Sequence, residues 1–387
     1  MPEFMSRFKV LTAALLSAGL LLLIAACSDS GTGPDEHVGE HLYVLNENSR
    51  TLYIYHVPGL SDDDRDSIPM QADAPHHLHF SPDGHHYYVV SRSQTGLGRA
   101  YRYELETNEV VDSTDFQGLL TGLTTDPLGT ELYISDFGRN INQRTLLRRL
   151  DPATLTVREF FQAGSQPHYI GTTSDGELVV TVNAGSDDVT LYYPNGDPND
   201  NVFHVKLDPD PDSAAPIGEP NFAPYGLALA GDDSLAYVAC RSSKDPGGAD
   251  IFVFDLKRRM TIDTLHLAWT KRSATNHNYR LGLALLLEND RYLAVTSQDA
   301  NSVYLVDLET GQYEETVFQH GWTFGVTATS DEEYLYVTAS NGGVAPAQEG
   351  WVYELQRSGG SLVKTDSVKA GMLCNGCHVL HGDGHDH

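Results

Sequence analysis

Two thiols and four imidazoles fall within the fourteen residues Cys374-Asn-Gly-Cys377-His378-Val-Leu-His381-Gly-Asp-Gly-His385-Asp-His387. Cys-x-x-Cys-His is the spacing by which a chain holds haem c through two thioethers, with His378 as the proximal ligand. The same residue types hold zinc or copper. Only nine residues follow His378 and none is a methionine. A distal haem ligand would therefore come from His76, His168 or His381. A third use of the pair is a disulfide, which leaves the protein a surface scaffold or binding platform. Of the other two cysteines, Cys240 ends the apolar run Leu235-Ala-Tyr-Val-Ala-Cys240 and reads as an inert core thiol.

The fourth cysteine belongs to a leader. Arg7 and Lys9 precede an apolar stretch, Val10 to Ala26, that ends in small residues directly before Cys27. This resembles the bacterial lipoprotein signal. The resemblance implies that residues 1–26 are removed, that Cys27 carries lipid, and that 27–37 is a flexible tether. The protein is then exported and anchored to a bacterial membrane, on the periplasmic face or at the cell surface. Outside the cytoplasm, paired thiols are oxidised, metallated or joined to haem.

Lys plus Arg number 25 and Asp plus Glu 53, a net charge of −28. Such a surface repels phosphate backbones, which argues against nucleic acid as a partner. It concentrates cations, metal ions included. No Gly-x-Ser-x-Gly elbow, His-Glu-x-x-His helix or phosphate loop is present, so no enzyme class is selected.

The elements that must position these groups repeat along the chain. A strand-like core recurs as HLYVLNE around Tyr43, HYYVVSR around Tyr88 and ELYISDF around Tyr133. It continues as ELVVTVN around Val179, LAYVACR around Tyr237, YLAVTSQ around Ala294 and YLYVTAS around Tyr336. The steps are 45, 45, 46, 58, 57 and 42 residues. Asp/Gly turns precede most copies: Ser81-Pro-Asp-Gly84, Asp126-Pro-Leu-Gly129, Ser174-Asp-Gly176, Gly231-Asp-Asp233 and Ser330-Asp-Glu332. Alternating strands follow, such as Ile251-Phe-Val-Phe-Asp255 and Ser302-Val-Tyr-Leu-Val-Asp307. Four strands per unit and seven units predict an all-β, seven-bladed β-propeller over residues 38–387. The longer steps contain the Pro/Asp-rich excursion Asn195 to Phe222 and further loops at 241–250 and 268–278, expected to decorate one rim. With Val303-Tyr-Leu-Val-Asp-Leu-Glu-Thr-Gly311 as the fullest copy, the repeats resemble the YVTN-type propeller family.

Most units open on a Pro-x-x-Leu-like strand: Pro75-His-His-Leu78, Pro167-His-Tyr-Ile170, Pro224-Tyr-Gly-Leu227 and, as a variant, Thr323-Phe-Gly-Val326. The first unit lacks such a strand and the last has a spare, Cys377-His-Val-Leu-His381. Pairing the two ends closes the ring and removes two open sheet edges. The expected register sets Cys377 opposite Pro75, so that His378, His76, Thr121, His168, Tyr225, Leu281 and Phe324 ring one mouth of the channel. His76, His168 and His378 then converge on a zinc or copper ion, supported by Cys374, Cys377 or His381. This is similar to exported propellers that act as zinc chaperones, a likeness that implies a metal-receiving partner. The haem alternative implies a redox partner instead.

Overall fold

The computed structural model describes residues 39–92, 96–208, 210, 215–244, 248–268, 280–298, 300–340 and 349–381. Cys27, the leader, the tether and the tail histidines His385 and His387 lie outside these residues. The described residues form seven four-stranded antiparallel sheets and no helix. Successive innermost strands touch one another around the ring. These are β28 (Cys374–Leu380), β4 (Pro75–Phe80), β8 (Leu120–Thr125), β12 (Pro167–Thr172), β16 (Pro224–Leu229), β20 (Leu281–Leu287) and β24 (Trp322–Ala328). The molecule is a seven-bladed β-propeller.

The repeated core is the second strand of each blade. In β9 (Leu132–Asp136) and β13 (Val179–Asn183) every residue is buried, because a second strand has a neighbouring blade on both faces. That is why these segments read as near-continuous apolar runs. Outermost strands keep one wet face, and β7 (Val110–Gln117) alternates accordingly. The Asp/Gly turns join first and second strands. Gly84 donates its N–H to the Ser81 carbonyl at 2.9 Å and Gly129 to that of Asp126 at 3.0 Å. Both glycines have positive φ, 67° and 66°, which a side chain resists. Asp233 and Glu332 take the same place at φ 58° and 56°. The Asn195–Phe222 excursion contains β15 (Val202–Lys206), the outer strand of blade four. Its loops therefore divide between the two rims instead of gathering on one.

Blade one is completed as its missing strand required. β28 pairs antiparallel with β1 (His41–Asn46), which continues to β2 (Thr51–His56) and β3 (Arg65–Pro69). The register differs from the expected one by three residues. Cys374 pairs with Asn46 as Pro75 pairs with Ser91, and Cys377 pairs with Val44 as Leu78 pairs with Val89. The cause is the residue that starts an innermost strand. Ala74, Gln166, Ala223 and Leu373 hold φ of 56°, 52°, 50° and 56°. Their carbonyls accept N–H from Arg92, Ala184, Arg241 and Glu47 at 3.1, 2.9, 3.0 and 3.0 Å. Leu373 is thus the blade-one copy of this left-handed hinge, and the strand begins at Cys374.

Candidate functional site at the channel mouth

The same hinge builds the mouth. It places the second residue of each innermost strand beside the last residue of a second strand. Asn375, not His378, takes the blade-one position next to His76, and blade six supplies Gly282 where Leu281 was expected. His76 and His168 are 1 % and 4 % exposed. Their ring centroids are 6.1 Å apart, and Phe324 lies 6.0 and 6.2 Å from the two. His168 stacks on Tyr225 at 3.4 Å and meets the edge of Phe137.

Glu47 is the polar centre. Its buried carboxylate accepts hydrogen bonds from His76 Nδ1 at 3.1 Å, Asn375 Nδ2 at 2.7 Å and Arg92 Nη2 at 3.1 Å. Burial by itself pushes this carboxyl up, but His76 and the Arg92 guanidinium outweigh it and hold Glu47 below the usual carboxylate range. Burial lowers the His76 pKa and Arg92 adds to this against Glu47. Burial drives His168 well down, helped by His76, Arg241 and Arg92. Both shifts favour the neutral imidazole. His168 Nδ1 donates to the Tyr225 carbonyl at 3.2 Å, so its Nε2 carries the lone pair. That Nε2 is buried without a hydrogen-bond partner. Arg241 lies over the Tyr225 ring at 4.4 Å and donates to Gln298. Two guanidiniums, those of Arg92 and Arg241, thus lie near His168, the first of them paired with Glu47.

The other expected site residues sit elsewhere. His378 leans on blade two, 6.2 Å from the His77 ring and 6.3 Å from that of His79. His381 binds the buried Glu40 carboxylate through Nδ1 at 2.8 Å. Cys374 and Cys377 are free thiols in the seam between blades seven and one. Cys374 Sγ contacts the Ala339 carbonyl, and a methyl group placed on Gly325 would meet Cys377 Sγ. Cys374 is fully buried and Cys377 is 5 % exposed, so both sulfurs lie inside the seam. Burial pushes each thiol up to about 12 and so suppresses the reactive thiolate. A thiol-specific reagent is expected to leave Cys240, Cys374 and Cys377 untouched in native protein and to label all three in denaturant. Rapid labelling of the folded protein would contradict this packing.

Glu47, Arg92, Asn375 and Arg241 escaped the sequence reading. Three of them carried a signal. Glu47, Arg92 and Arg241 are the seventh letters of HLYVLNE, HYYVVSR and LAYVACR, and Phe137 and Gln298 end two further copies. Among the described residues, no three His, Cys, Asp or Glu side chains are gathered so as to hold a metal ion.

No family model matches the chain, and no curated protein matches it. Solved structures do. The periplasmic gluconolactonase of Pseudomonas aeruginosa is 15 % identical, with 88 % of this chain and 99 % of that chain covered and a TM-score of 0.67. Hydrazine synthase of Kuenenia stuttgartiensis is 13 % identical over 74 % of this chain and 78 % of that chain, with a TM-score of 0.58. The β-propeller domain of Myceliophteria thermophila Cps50 is 13 % identical over 78 % and 88 % respectively, with a TM-score of 0.54. At these identities the likeness is one of fold.

Proposed function

We propose that the channel mouth takes up a transition-metal ion, zinc or copper, on Nε2 of His76 and His168, for storage, delivery or sensing. The observation that carries this reading is the hydrogen bonding of the two imidazoles. Each uses Nδ1–H on an acceptor, the Glu47 carboxylate or the Tyr225 carbonyl. That leaves Nε2 as the unprotonated nitrogen, the form in which a second-shell partner presents a histidine to a metal. Two protein donors do not close a coordination sphere. The remaining positions belong to water or to a ligand, and the ion exchanges as a carrier or sensor requires. The lipoprotein-like leader supports delivery of this chemistry to an exported, membrane-anchored protein, with a metal-receiving protein as its partner. Calorimetric titration with Zn²⁺ and with Cu²⁺ tests the reading. His168→Ala is expected to weaken binding at least ~10-fold and Glu47→Gln by ~10–100-fold, whereas His378→Ala leaves it unchanged. Wild-type affinity in His168→Ala would remove the mouth from consideration.

A further inference from the structure

We infer that the mouth recognises a small hydroxycarboxylate, with the carboxylate drawn by Arg92 and Arg241 and the hydroxyl donating to His168 Nε2. The inference rests on the mouth being the working site of the propeller, and not on a metal being there. Three observations converge. First, two guanidiniums stand near His168: Arg92, which shares Glu47 with His76 and Asn375, and Arg241, which lies over the Tyr225 ring that stacks on His168. A guanidinium presents planar paired donors suited to a carboxylate. The Arg92 side chain keeps 30 % of its surface open to solvent.

Second, the lone pair of His168 Nε2 needs a donor. A carboxylate cannot supply one, because it only accepts. A hydroxyl can, and a buried acceptor left without a donor is costly. A ligand with an anionic head and an O–H meets both demands. Third, the side chains around His168 are aromatic. Tyr225, Phe324 and Phe137 surround His168, and they suit the carbon skeleton that joins the two polar ends.

Malate and succinate differ by a single hydroxyl and form the test. Protein stripped of metal on a chelating resin is titrated with each by calorimetry. Malate is expected to bind about 10-fold more tightly, since one satisfied buried acceptor is worth roughly a factor of ten. His168→Ala should bring both acids to the succinate level. Arg241→Gln, which leaves the Glu47 network in place, should weaken both acids about 10-fold, and Arg99→Gln on the rim should change neither. Thermal melts confirm that each variant is folded, and His168→Phe replaces His168→Ala should the smaller side chain unfold the blade. Equal affinity for the two acids, no binding of either, or a malate preference that survives loss of the imidazole overturns the inference. A zinc titration runs in parallel. Zinc binding without acid binding ends this inference and leaves the metal reading; malate binding without zinc binding does the reverse.

Discussion

Ending the chain at Leu373 is expected to abolish soluble, cooperatively folding protein, whereas ending it at His381 leaves folding intact. The shorter chain loses β28, and with it the buried Cys374, Cys377 and Val379 in the seam between blades seven and one. Each such side chain contributes roughly 1.5–3 kcal/mol on burial. The sum is comparable with the ~5–15 kcal/mol by which a folded protein exceeds its unfolded state. The loss also bares the edge of β1, whose residues His41 to Val44 and Asn46 pair with β28, and an exposed edge recruits other chains. Glu40 loses His381, though it retains the Ser330 amide. Soluble yield and a thermal melt read the effect. A peptide spanning 374–381, supplied to the truncated chain, should restore the transition by strand addition. A truncated protein that melts like the full chain would show that the ring does not depend on this strand.

Replacing Glu47 by Leu is the point substitution expected to cost most. It strands three donors at once: the Nδ1–H of His76, the Asn375 amide and the Arg92 guanidinium. Leaving a buried donor without its acceptor costs about 1–3 kcal/mol, and two of the three, on His76 and Asn375, are buried. Chemical denaturation should show the midpoint falling with an unchanged slope. Adding Arg92→Leu to Glu47→Leu should recover part of the loss, because two changes in one network do not add. Additive losses would mean that the contact contributes little. The same network makes the wild type sensitive to acid. Burial lowers the pKa of His76 and His168 in the folded protein. Their contribution is complete above the ordinary histidine value of about 6.5. It fades as pH falls from there toward the lower folded values, because the unfolded chain binds the protons first.

The architecture could be read from the chain because each blade repeats the same burial problem. A second strand with blades on both faces must be largely apolar, and the turn before it needs a residue at positive φ. Those two demands write Tyr-Val or similar cores and Asp/Gly turns at most steps. The closing strand was legible for a related reason: one unit lacked an innermost strand and another had one to spare. Its register was not, since Cys374-Asn-Gly-Cys377 has no proline to mark the start. The marker is Leu373, a residue with no preference for the left-handed region it occupies. The chemistry was half legible. Histidines after proline flagged His76 and His168. Glu47, Arg92 and Arg241 lie at strand ends where any polar residue is unremarkable, and only the superposition of all seven copies turns them into a ring.

The pairing of β28 with β1 also has a consequence in time. Asn46 and Cys374 stand 328 positions apart in the chain. At about 5–20 residues per second of translation, blade one waits roughly 15–65 s for its innermost strand. Through that interval six blades can assemble while the seventh position of the wheel stays ajar.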